Sequence, residues 1–169
     1  MDLLLLVITA ILPPLAFMLY IYRLDRIEPE PYGLILKALV LGAAAVIPAA
    51  LIELSLGMIP IFALGGFAGA ALKSFIVIAP VEEALKLAVV LLFIWKNMNF
   101  NEENDVIVYN GAASIGFALL ENILYVVQSG FGTGIMRAVT AIPLHTFTGV
   151  IVGYFVGSAR FAPTAGTRT

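Results

Sequence analysis

The sequence predicts an all-α, polytopic bundle of transmembrane helices with about five spans. Three observations carry that reading. Of the 169 residues, 62% are hydrophobic and only 12% are charged, against roughly 25% charged in a soluble domain. The mean hydropathy is +1.05. The apolar residues also fall into blocks of about twenty, the length that crosses a hydrocarbon core as helix. Cysteine is absent, which excludes disulfides, a thiolate nucleophile and a Cys-rich metal site. A net charge of −2 with no basic cluster argues against nucleic acid as a partner.

Leu3 to Tyr22 carries no charge. Asp2 stands where a signal peptide has its basic region, and no small-residue cleavage pattern follows, so this segment is expected to persist as the first span, bent at Pro13 and Pro14. The second block runs from Gly33 to about Leu56. "GMIPIFALGGFAGA" then supplies turn residues, and residues 61–79 have room for an extra re-entrant or short helix. A third span is expected from Lys73 to Trp95, closed by the polar "KNMNFNEEN". The fourth runs from Asp105 to about Val127, "QSGFGTG" turns the chain, and the fifth runs from Arg137 to Ala159. Residues 1–159 read as one transmembrane domain and 160–169 as a disordered tail.

Five spans put the termini on opposite faces. With the N-terminus outside, the inner flanks hold Arg23, Arg26, Lys37, Lys96, Arg160 and Arg168, and the outer flanks only Lys73 and Arg137. The positive-inside rule therefore predicts a multi-pass protein of the cell (inner) membrane, N-terminus out and C-terminus cytoplasmic.

Within this apolar frame the third span carries "APVEEALK", with Glu82, Glu83 and Lys86 in its first half. Ionisable groups at that depth cost a few kcal/mol each, so they face a protein interior or a hydrated cavity. On the fourth span Asn110, Ser114, Phe117, Glu121, Tyr125 and Gln128 recur every three or four residues, a mostly polar stripe on one helix face. The fifth holds His145, the only histidine, followed by Gly149, Gly153 and Gly157 at intervals of four, a groove for close helix packing. At 1.5 Å per residue, Glu82, Glu121 and His145 all come about 10 to 14 Å below the outer boundary. Acids and an imidazole from three helices are thus expected at one level.

A carboxyl group in a low-dielectric cavity is a plausible general base or acid near neutral pH. An imidazole beside it can orient a water, share its proton or coordinate a metal. Lys86 lies four residues after Glu82 and three after Glu83, so it can pair with either and leave the other free as the base. There is no HExxH motif and no aspartate pair within the spans. Ser114 and His145 make a poor dyad, because Ser114 lies in mid-helix and not on an exposed elbow.

"PVEEALK" resembles the Glu-Glu-x-x-Lys motif of the PrsW family, bacterial and archaeal intramembrane proteases related to the CAAX-processing and bacteriocin-processing membrane peptidases. "DVIVYNGAASIGFALLENILY" resembles that family's second motif, through Asp105, Tyr109, Gly116, Phe117, Glu121, Asn122 and Tyr125. "LHTFTGVIVGYFVGSA" resembles the third, through His145, Gly149 and Gly153, and "YRLDRIEPEP" is similar to the family's loop after the first span. The resemblance covers Asp25 to Ala159. It implies an endopeptidase that cuts membrane-anchored protein substrates, the best-known family role being site-1 cleavage of an anti-sigma factor. Carried over, Glu82 and Glu83 activate or bind the water, Glu121 and His145 complete the site, and Asn122 donates to the oxyanion. The family is classed both as metallo- and as glutamate peptidases. With one histidine, zinc or another divalent metal would need carboxylate ligands, and Glu83, Glu121 and His145 are the donor set expected if a metal is bound. The short chain shows no soluble domain, so substrate selection is expected to come from the membrane part or a partner.

Each residue also has a plainer reading. Glu82, Glu83 and Lys86 can form an ion-pair staple between helices. Asp105 suits a helix cap, Tyr109 and Tyr125 suit packing, and Glu53 suits the membrane interface. Two other functions use the same groups: a small ion or proton transporter, against which no inverted repeat is apparent, and a non-catalytic membrane scaffold.

Overall fold

The computed structural model describes residues 3–24, 28–63 and 65–162, and among them there is no strand. Eight α-helices follow one another: α1 (Leu3–Leu24), α2 (Tyr32–Ala44), α3 (Val46–Gly57), α4 (Gly66–Lys73), α5 (Ala79–Phe93), α6 (Glu103–Ser129), α7 (Phe131–Val139) and α8 (Ala141–Phe161), with a 3-10 turn at Pro60–Ala63. They combine into the five expected membrane segments. The stretches Tyr32–Gly57, Glu103–Ser129 and Phe131–Phe161 are long and apolar enough to cross a bilayer, and Val7–Arg23 is a shorter apolar helix. The remaining segment runs from α4 through a π-helical stretch, Ser74–Ile78, directly into α5. It is long enough to span, and its interruption in apolarity is Glu82, Glu83 and Lys86. The room within 61–79 is thus filled by the 3-10 turn and by α4, which prolongs the third span. α8 continues through Phe161, two residues into the segment read as a tail, and residues 163–169 lie outside the described residues.

Prolines set the joints. A proline has no N–H for the carbonyl four residues back, and its ring crowds that carbonyl. Pro48 lies three residues beyond the joint at Ala45, where α2 gives way to α3, and Pro143 lies three residues beyond the joint at Thr140 between α7 and α8. Pro80 follows the π-helical stretch, in which Ala79 N–H reaches back five residues to Ser74 O, a wider turn that accommodates the ring. These joints re-aim the chain just before Glu53, Glu82 and His145.

Pro13 and Pro14 act differently, since α1 runs on through them. The two carbonyls they leave without helical donors are those of Thr9 and Ala10. Asn122 of α6 supplies the missing donor: its Nδ2 lies 2.9 Å from Ala10 O and 3.3 Å from Thr9 O. In lipid an unmet carbonyl is costly, so this one amide fixes the register of α1 on α6. Replacing it by leucine is expected to cost about 2 kcal/mol, read as a lowered thermal unfolding temperature in detergent.

α6 is the central post, with most of its first four turns fully buried. A reciprocal capping box starts it: Asp105 Oδ2 accepts from Glu102 N at 2.8 Å and Asn101 N at 2.6 Å, while Glu102 caps the Asp105 amide. Gly130, at φ 84°, ends it in a conformation that favours glycine. On one side α2 approaches until Gly42 lies against the Ala113 backbone and Gly116 against the Leu39 backbone. On another, Gly149, Gly153 and Gly157 of α8 lie against Ser114, Ile107 and Glu103. The glycine groove of the fifth span is thus filled by α6. Gly116→Val would drive a side chain into the Leu39 carbonyl, and we expect loss of about 3 kcal/mol or more, seen as loss of monodisperse protein. Gly33→Ala, where nothing lies within 4 Å, should behave as wild type. The outward faces are apolar, with Leu12, Leu36, Leu51, Leu92, Phe147 and Phe155 among the exposed side chains, as a lipid-facing surface requires.

Candidate active site

The N-terminal part of α5 places Glu82 and Glu83 beside Lys86, whose side chain is entirely buried. Lys86 Nζ donates to Glu83 Oε1 at 2.8 Å and stands 3.6 Å from Glu82 Oε2. It also lies 2.7 Å from His145 Nδ1 on α8 and 4.6 Å from the centre of the Phe117 ring. The other ring nitrogen, Nε2, is 3.0 Å from Glu121 Oε2 on α6. Glu121 Oε2 receives a second donor, Arg137 Nη2 of α7, at 2.6 Å. At the far end Thr148 Oγ1 donates to Glu83 Oε1 at 2.9 Å. A continuous row of hydrogen bonds therefore runs Arg137, Glu121, His145, Lys86, Glu83, Thr148, across four helices.

Proton placement in the row follows from donor chemistry. An ammonium has no lone pair, so Lys86 can only donate, and Nδ1 must be the accepting nitrogen. The ring proton is then on Nε2, facing Glu121. A doubly protonated ring would set an N–H against the ammonium.

Glu82 stands beside this row, its Oε2 3.6 Å from His145 Nδ1. It lines a cavity of about 250 Å³ together with Glu53, Glu121, Tyr125 and Gln128, on walls of Val46, Ala49, Ala50, Phe117 and Leu124. The structure thus separates the two adjacent glutamates: Glu83 is held by Lys86 and Thr148, and Glu82 faces the cavity. Glu53, which the sequence suggested as an interfacial group, is a third carboxylate on that cavity, brought there by α3 beyond the Ala45 joint.

Of the residues singled out from sequence, Glu82, Glu83, Lys86, Glu121 and His145 come together, and Tyr125 borders the cavity. Asn122 neighbours the site, but its amide hydrogens go to α1 and its Oδ1 accepts from Arg137 Nε at 3.1 Å; in this arrangement it has no donor to offer an oxyanion. Asp105 and Tyr109 lie about 24 and 18 Å along α6 from Glu121. There Asp105 caps the helix, and Tyr109 hydroxyl donates to Glu30. Ser114 faces Gly149 and makes no bond to His145. Arg137 was not legible as a site residue, because its contact depends on α7 folding back over α6.

The arrangement of these donors does not suit a metal. Among the described residues no three His, Asp or Glu side chains are placed to hold one. The reason is geometric: Glu121 addresses Nε2 and Glu82 the Nδ1 edge, Nδ1 is taken by Lys86, and Glu83 turns to Lys86 and Thr148. Glu83, Glu121 and His145 therefore do not form the donor set expected if a metal is bound. A single ion cannot meet one imidazole nitrogen and these carboxylates at bonding distances near 2.1 Å without rearrangement, so no step is routed through a metal here.

Carboxylates on a small cavity beside a hydrogen-bonded imidazole, deep in an apolar helical bundle, are the groups with which a membrane-embedded hydrolase activates water. A family model described as PrsW family intramembrane metalloprotease matches residues 30–169. The chain is 36% identical over 157 residues to the protease PrsW of Geobacillus kaustophilus (strain HTA426), covering 93% of this chain and 68% of that protein. To the protease PrsW of Bacillus subtilis (strain 168) it is 34% identical over 152 residues, covering 90% and 67%, and to that of Oceanobacillus iheyensis 35% over 150 residues, covering 89% and 67%. It thus spans about two thirds of the length of these relatives. No solved structure matches it. The chain belongs to the PrsW family of intramembrane proteases.

Proposed function

We propose that the chain hydrolyses a peptide bond of a membrane-anchored protein, of the anti-sigma-factor kind, with Glu82 as general base. The observation that carries this is the division of labour on α5: Lys86 and Thr148 hold Glu83, leaving Glu82 on the cavity that Glu121 also lines. A water between the two carboxylates gives one proton to Glu82 as its oxygen attacks the scissile carbonyl. The same proton then passes to the leaving amine as the C–N bond breaks. Glu121, held from behind by His145, accepts the water's second O–H and aims its lone pair. The row of hydrogen bonds crosses the bundle at one level, which suits a site and not a transporter's path from face to face.

The orientation we propose is N-terminus outside. Lys37 donates to Phe93 O at 2.9 Å, and Arg160 lies over Trp95, so the basic groups of the start of α2 and the end of α8 gather with the end of α5, away from the cavity. Lys73 and Arg137 stand at the cavity end. With the basic end cytoplasmic, the cut falls in the outer half of the bilayer. The test is co-expression with a single-span substrate tagged at both ends: wild type should release one fragment of defined mass, and His145→Ala should release none. An uncut substrate library with folded wild type would sink the proposal.

A further inference from the structure

The proposed hydrolysis leaves Arg137 without a role. It does not line the cavity and stands behind Glu121, its side chain 14% exposed. Its planar fork is fixed in three directions: Nη2 on Glu121 Oε2 at 2.6 Å, Nε on Asn122 Oδ1 at 3.1 Å, and the guanidinium 4.3 Å from the Tyr125 ring centre. The helix that delivers it, α7, is bounded by Gly130 and by the joint at Thr140, and is seated where Gly134 meets Thr9 of α1. Asn122 is itself fixed by the two α1 carbonyls. The guanidinium therefore has one position.

That position has a chemical consequence. Arg137 and His145 Nε2 share one oxygen of Glu121, Oε2, which leaves Oε1 for the cavity that Glu121 lines. The groups facing the imidazole are Lys86 and Glu82 at Nδ1, Glu121 at Nε2 and Phe117 at 5.7 Å between ring centres. Among them only Glu121 accepts the ring proton at Nε2. We propose that Arg137 is a positioning residue for proteolysis: its two-armed grip holds Glu121 so that His145 keeps its proton on Nε2 and the second carboxylate oxygen points at the water. The effect on rate rests on the protease reading; the effect on the imidazole does not.

The experiment uses purified protein carrying ¹⁵N-labelled histidine, because His145 is the only histidine of the chain and its two ring nitrogens give an unambiguous signal. Wild type should show a neutral ring with the proton on Nε2. Arg137→Gln should move both resonances toward tautomer exchange and lower kcat on the order of 100-fold, as misplacement of a reacting group does, with KM changed less than about threefold. Arg137→Lys keeps the charge and loses the fork, so a loss of about tenfold and a partial shift are expected. The lysine variant also provides the answer if Arg137→Gln does not fold. Unchanged ring signals and kcat within about threefold of wild type in either variant would overturn the proposal. Should wild type cleave nothing, the protease reading falls alone, and the ring signals still show whether Arg137 sets the tautomer.

Discussion

Glu82→Gln is expected to reduce kcat/KM about 100- to 10,000-fold while the protein remains folded, and Glu83→Gln to reduce it far less. The two side chains are sequence neighbours of one chemical type, so composition gives no reason for a difference. Their partners do. Glu82 faces the cavity, and an amide there cannot accept a proton from water, which removes general-base assistance worth about 10²–10⁴-fold in typical cases. Glu83 accepts through Oε1 from both Lys86 and Thr148, and a glutamine oxygen can accept the same two bonds. The comparison is made on purified variants with a single-span substrate, fragment appearance being read by gel and mass, with elution volume and unfolding temperature as folding controls. Equal losses from the two substitutions, or an active Glu82→Gln, would contradict the assignment of the base.

Lys86→Met is the second large effect. The side chain is fully buried and touches both glutamates, His145 and the Phe117 ring, so a methionine of similar length fills its space and removes its charge. Two carboxylates are then left inside the bundle without their cation. Removing one partner of a buried pair costs about 3–5 kcal/mol, and the loss should appear as a lower midpoint in denaturing mixed micelles. Adding Glu83→Gln to Lys86→Met should return part of that stability, because the pair is coupled. A double variant no more stable than Lys86→Met would show that Lys86 acts through packing alone.

Much of this site was legible in the sequence, for a definite reason. Charges within apolar segments are costly enough to stand out, and helical periodicity then says which of them share a face. Glu82, Glu83, Lys86, Glu121 and His145 stand out in that way, and so does the glycine groove of α8. What was hidden depends on how segments fold back on one another. Arg137 reads as a charge at the outer flank until α7 is seen to return over α6. Glu53 reads as interfacial until the joint near Pro48 turns α3 toward the cavity. Asn122 is an oxyanion donor by the family resemblance alone. Only the neighbouring proline-interrupted helix reveals that its hydrogens are already spent.

The bond between Asn122 and α1 also bears on how the chain enters the membrane. During synthesis α1 emerges about a hundred residues ahead of Asn122, so until α6 arrives, the Ala10 carbonyl, whose helical donor Pro14 removes, faces lipid or the insertion machinery, at a cost in hydrocarbon. The first segment should therefore be held loosely at first and lock only when the fourth is inserted. Ribosome-bound intermediates shorter than α6 should leave α1 extractable, and longer ones should not.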